Sequence, residues 1–175
     1  SRAALEHGDA RKALDLLRIS AELAERDERE LVTVEYVGRA QNMMEKDQVR
    51  CVISTLPIHY KTTLASIVFN EGKNKNGQQT TGEVYSTYKQ ICKLSNLQGL
   101  SQRTIGNIIS ELDMQGLINA KIVSLGRQGR TKYINVAIDK KQIEDLFDED
   151  KFLSDIIYEL KQNTTYFGST QMRLV

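Results

Sequence analysis

Between residues 100 and 115 the apolar positions are Ile105, Ile108, Ile109 and Leu112, spaced i, i+3, i+4 and i+7. That spacing predicts one amphipathic helix with a single buried stripe. Ser101 stands where a side chain can cap the free N–H groups of a first turn. Gly116 stands where a left-handed residue ends a helix, with Leu117 able to pack back on Leu112. Arg103, Asn107 and Ser110 are left on the outward face. Residues 117–125 alternate loosely and predict a strand. Residues 131–138 predict a second, with Ile134, Val136 and Ile138 on one face. Between them, Gly126-Arg127-Gln128-Gly129-Arg130 forms a loop with two conformationally free glycines and two cations. A capped helix, tight turn, strand, basic loop and strand make the winged form of helix-turn-helix. Its outward helix face can enter a major groove with the N-terminal residues nearest the base edges. The wing can touch phosphates or a minor groove, where arginine is well suited.

The rest of the chain reads mainly as helix. Residues 1–7 look like the end of a helix broken by Gly8, and Asp9 caps the next, with Ala10, Ala13, Leu14, Leu17, Ala21 and Ala24 as its stripe. Asp27-Glu28-Arg29-Glu30 is a charged turn, and Thr33 caps a second helix carrying Val37, Ala40, Met44, Val49 and Val52. Pro57 marks a boundary because the residue before a proline resists helix, so a domain edge is placed near Leu56. Residues 58–70 predict a helix and residues 71–79 a polar loop. Thr80 and Glu83 fit a capping box ahead of the stripe Val84, Tyr85, Tyr88, Ile91 and Cys92. Asp139 and Gln142 fit another, for a short helix to Phe147; Phe152, Ile156, Ile157 and Leu160 suggest a last helix. Residues 163–175 show no period and are expected to be irregular. The expected architecture is a helical domain over 1–56, a winged-helix domain over 57–161 with a small β-hairpin wing, and a tail over 162–175.

Composition changes this picture little, and charge distribution changes it more. The 175 residues are 40% hydrophobic and 27% charged, with a formal net charge of +1. Residues 101–132 hold Arg103, Lys121, Arg127, Arg130 and Lys132 against Glu111 and Asp113, whereas residues 139–160 are acid-rich. A near-neutral total can therefore hide a basic face. Cys51 and Cys92 lack metal-ligand spacing and read as reduced core or half-buried thiols of a cytoplasmic protein. No apolar run approaches the ~18 residues of a membrane helix. His7 and His59 have no third ligand in view for a metal site or hydrolytic triad. The chain opens in mid-pattern without Met, as a piece of something longer would.

Several segments resemble a known family. Gly8-Asp9-Ala10-Arg11-Lys12-Ala13-Leu14-Asp15-Leu16-Leu17-Arg18 is similar to the "sensor 2" segment in the lid of AAA+ ATPases, and more narrowly of archaeal replication initiators related to the origin-recognition complex and the cell-division-cycle loader. Glu45-Lys46-Asp47 leading into Leu56-Pro57 resembles the junction of lid and C-terminal domain in that family. Thr81-Gly82-Glu83-Val84-Tyr85, Leu100-Ser101-Gln102-Arg103-Thr104 and Ser110-Glu111-Leu112-Asp113-Met114 resemble its winged-helix domain. The resemblance implies an AAA+ lid, then a winged helix binding duplex origin DNA, with the replicative MCM helicase as a further partner. It also implies that the ATPase base is missing. No G-x-x-x-x-G-K-[ST] loop occurs in this chain, so the chain alone is expected to carry no cofactor and to hydrolyse no ATP. In the intact protein, ATP or ADP with Mg²⁺ would be touched by Arg11, the arginine that reaches the nucleotide phosphates.

Gln102, Arg103, Thr104 and Asn107 are the base-contact candidates, because arginine can pair with guanine and asparagine or glutamine with adenine. Ser101 or Thr104 can hold phosphate instead. Arg127, Gln128, Arg130 and Lys132 form the wing set, with Lys132 on the returning strand suited to a phosphate. Gly106, costly in a helix by about 1 kcal/mol, allows close approach either of a neighbouring helix or of DNA. A solvated helix face and a solvated turn are the plain alternatives. Two other functions stay open: a winged-helix transcriptional regulator whose N-terminal helices dimerise, and a winged helix used for protein contacts.

Overall fold

The computed structural model describes residues 2–72, 78–124 and 130–170. The chain divides into two compact units, Ser1–Val52 and Ile53–Val175.

The first unit holds α1 (Arg2–Arg26) and α2 (Val34–Thr55), the last turn of α2 belonging to the second unit. Gly8 does not break α1. One interior glycine costs about 1 kcal/mol, and the strong helix formers on both sides, among them Ala3, Ala4, Ala13 and Leu14, outweigh it. The buried face of α1 also differs from the expected stripe. Ala10, Ala13, Leu14, Leu17 and Ala21 are exposed, whereas Ser20 and Ala24 are buried and Leu16, Ile19 and Leu23 half-buried. Both sets have helical spacing, and a two-helix unit can cover only one of them. α1 ends on Glu28 at φ 55, with Arg29 N–H bonding Ala24 C=O at 2.9 Å and Glu28 N–H bonding Glu25 C=O at 2.9 Å. This is a Schellman ending on a non-glycine residue. Asp27 pins the turn by accepting from Arg39 at 2.6 Å and Tyr36 at 3.2 Å, and the Arg39 hydrogen bond is the main cause holding its carboxyl below the usual range. Thr33 precedes α2 and its carbonyl accepts from Tyr36 and Val37. Cys51 is exposed rather than part of a core.

The second unit runs α3 (Ile58–Glu71), β1 (Gln79–Thr80), α4 (Thr81–Leu94), α5 (Gln102–Met114), β2 (Ile118–Ser124), β3 (Arg130–Val136), α6 (Lys140–Glu149) and α7 (Lys151–Thr170). α3 is its central helix, buried from Thr62 through Ile67 and touching α4, α5, α7 and β3. Its buried hydroxyls are satisfied within the helix. Thr62, Thr63 and Ser66 bond the carbonyls of Ile58, His59 and Thr62 at 2.8, 2.7 and 2.7 Å. Around it pack Val84, Tyr88 and Ile91 of α4, the full predicted stripe of α5, and Ile143, Leu153 and Ile156.

The sheet is antiparallel in the order β1-β3-β2. The expected hairpin pairs from Ile118↔Val136 to Ser124↔Arg130. Gln79, expected to end a polar loop, and Thr80, expected as the cap of the next helix, add a third strand by pairing with Ile134 and Tyr133. Thr80 then caps α4 in the predicted capping box with Glu83. β2 lies at the open edge, where Asp113 of α5 accepts from the Ala120 N–H at 3.0 Å. Two C-terminal expectations are corrected. Asp139 occupies the N-cap of α6 without a side-chain cap bond, so no capping box forms with Gln142. α7 continues to Thr170 instead of ending before residue 163, because preceding turns already fixed propagate a helix at little cost.

Candidate nucleic-acid interface

α5 is held first at its N-terminus. Tyr88, fully buried on α4, receives the Leu100 N–H at 3.1 Å and pairs with His59 Nδ1 at 2.8 Å. Burial pushes its phenol up to about 12, so the hydroxyl stays protonated. Tyr85 donates to the Leu100 carbonyl at 3.3 Å and carries Lys89 over its ring. Both polar groups of the residue before the helix are thereby fixed by α4. Ser101 follows as N-cap, accepting from the Thr104 N–H at 3.2 Å, with the two hydroxyls 2.9 Å apart. Ser101 therefore has a structural task that also engages Thr104, although both remain exposed.

The outward face of α5 carries Gln102, Arg103 and Asn107, all exposed, with Met114 exposed at its far end. On one flank Glu111 accepts from the Tyr60 hydroxyl of α3. On the other, Asp113 meets β2 and Lys132 of β3 donates to the Gly106 carbonyl at 3.0 Å and the Ser110 hydroxyl at 2.5 Å. The helix ends as predicted. Gly116 sits at φ 73, with Leu117 N–H on Leu112 C=O at 3.1 Å and Gly116 N–H on Asp113 C=O at 3.0 Å.

Arg130 is exposed at the start of β3. Lys132, expected on the returning strand to suit a phosphate, is half-buried and turned onto α5. Arg127 and Gln128 lie outside the described residues. The sequence reading missed the two tyrosines and the Lys132 bridge; the signal for Tyr88 was its place on the buried stripe of α4, where a phenol needs a partner.

Arg11 is exposed on α1 in the first unit. Among the described residues no group of three His, Cys, Asp or Glu could hold a metal ion, and no helix is long and apolar enough to cross a membrane.

Comparison with known proteins places this geometry. Residues 51–146 match the family model of the CDC6 C-terminal winged helix domain, and residues 1–42 that of the Cdc6 AAA+ ATPase-type lid domain. An ORC1-type DNA replication protein 1 of Sulfolobus acidocaldarius is 50% identical over 138 residues, covering 79% of this chain and 34% of that protein. An ORC1-type DNA replication protein of Pyrococcus abyssi is 46% identical over 155 residues, covering 89% and 37%. The Aeropyrum pernix ORC1 protein, solved in complex with DNA, is similar at a TM-score of 0.76 and 39% identity, covering 84% of this chain and 38% of that one. The chain spans about a third of the length of these relatives.

Proposed function

The chain belongs to the Cdc6 family, as an AAA+ ATPase-type lid followed by the C-terminal winged-helix domain, and from that premise we propose that it is the duplex-binding part of a DNA replication initiator. The observation that carries the reading is the outward face of α5: exposed Gln102, Arg103 and Asn107 on a helix whose N-terminus α4 holds at both polar groups of Leu100. A reading helix needs such fixation, because base contacts tolerate little misplacement. In a longer protein that carries the ATPase base, Arg11 would help hold ATP or ADP with Mg²⁺, and its exposed neighbours Leu14 and Leu17 would offer that base an apolar stripe. Origin DNA is the proposed target and an MCM helicase the proposed downstream partner.

Arg103→Ala is expected to weaken binding to a selected site by about 1–3 kcal/mol and to relax preference at one base position. Titration against selected and random duplexes checks it; an equal loss on both reduces Arg103 to a phosphate contact. The wing is tested by Arg127→Ala with Arg130→Ala, which is expected to weaken binding to every duplex. The slope of log affinity against log salt should flatten by about one unit per lost phosphate contact. An unchanged slope and affinity would move the wing to solvent or to a protein partner.

A further inference from the structure

Gly106 sits in the interior of α5, between buried Ile105 and buried Ile108, in a helix that gives it no internal task. Its φ is not in the left-handed region. A Cβ built on it meets nothing within 4 Å. The close approach of a neighbouring helix is thus removed as its reason, and a glycine here only weakens the helix relative to alanine. Such a glycine fits a place where another molecule's backbone comes near.

Its position says which one. Lys132 reaches Gly106 from β3, so Gly106 lies on the flank of α5 that faces the wing strands. With α5 in a major groove and the wing at the adjacent minor groove, the sugar–phosphate strand between those grooves crosses this flank. Lys132 brings its ammonium to the same spot. Two of its three protons are engaged by the Gly106 carbonyl and the Ser110 hydroxyl, and one remains to be donated. The Ser110 hydroxyl itself donates to the Gly106 carbonyl at 3.1 Å.

Resting on the reading of α5 as the DNA-facing helix, we propose that Gly106, Lys132 and Ser110 form a seat for one phosphate of the strand separating the two grooves. The glycine lets the strand lie against the helix, and the ammonium, aimed by its two fixed bonds, gives its remaining N–H to a phosphate oxygen. Lys132 thereby keeps the phosphate role expected of it on the returning strand, now as a buttressed group on the helix flank.

The experiment compares the 175-residue chain with Gly106→Ala, Gly106→Val and Lys132→Met on a random-sequence duplex across a salt series, with thermal melting of each protein alone. Gly106→Ala is expected to raise Tm by about 2–6 °C, yet weaken duplex binding about tenfold, and Gly106→Val to weaken it further. Lys132→Met is expected to flatten the salt slope by about one unit. Wild-type binding by the more stable Gly106→Ala chain would overturn the seat while leaving the DNA reading intact. A lower Tm for Gly106→Ala would assign the glycine to the fold and overturn it too. An unaltered salt slope in Lys132→Met would remove the phosphate from the ammonium. Failure of the wild-type chain to bind any duplex would instead overturn the reading on which the seat rests.

Discussion

Tyr88→Phe is expected to destabilise the winged-helix unit by about 2–4 kcal/mol, although it removes a single oxygen. The ring is fully buried and stays in place, so no cavity of consequence forms. What is lost is the partner of two groups at once, the Leu100 N–H at 3.1 Å and His59 Nδ1 at 2.8 Å. Each part-buried group left without a partner costs about 1–3 kcal/mol. The loss falls on the turn that aims α5, so duplex affinity should drop by more than the unfolded fraction explains. Urea denaturation with parallel duplex titration measures both. Tyr85→Phe is the control: its bond is longer, at 3.3 Å, and its side chain half-exposed, so it should cost less than about 1 kcal/mol. Equal effects for the two tyrosines would show that Leu100 is not held through Tyr88.

Asp150→Ala is expected to cost a similar amount, about 2–4 kcal/mol, through two losses. Asp150 caps α7 by accepting the N–H groups of Phe152 and Leu153 at 3.1 and 3.2 Å. It also receives Lys61 of α3 at 2.5 Å, in a pair only 15% and 19% exposed. Removing the cap costs about 1 kcal/mol, and leaving a largely buried ammonium unpaired costs more. Lys61→Met should be milder, since it keeps the cap and most of the packing. The pair also sets an acid limit. Burial alone would raise the Asp150 carboxyl, but the Lys61 hydrogen bond, the helix N–H groups and the Lys61 charge reverse this and hold it below the usual aspartate range. A carboxyl with a depressed folded value stabilises above its unfolded value, and that contribution fades as pH falls through the folded one. Stability should therefore decline below about pH 4, and this component of the decline should be absent in Asp150→Ala. Parallel acid titrations of the two proteins would show it, and superimposable curves would exclude it.

Much of α5 was legible because its signals are local. Ser101, the isoleucine stripe, Gly116 and Leu117 lie within one segment, and each agrees with the others. β1 was not legible, because Gln79 and Thr80 carry no period and become a strand only by pairing with residues more than fifty positions away. The Lys132 bridge was hidden for the same reason: sequence supplies its charge, while its direction depends on a helix across the unit. In α1 two apolar stripes compete, and periodicity cannot say which one a second helix covers. Asp139 and Gln142 have the spacing of a capping box without its bonds, since spacing makes a cap available and packing decides whether it forms.

The edge of β2 bears on how copies of this domain tolerate one another. A sheet edge with free N–H and C=O groups is a template on which a like chain can add a strand, and the risk grows wherever copies crowd along one polymer. Here the Ala120 N–H is already taken by Asp113, and Lys121 stands exposed beside it. The plug is supplied by α5, the same helix that carries the outward arginine. Self-avoidance and the proposed recognition of DNA thus share one element, and substitutions chosen to retune the second that tilt or shorten the last turn of α5 would loosen the first.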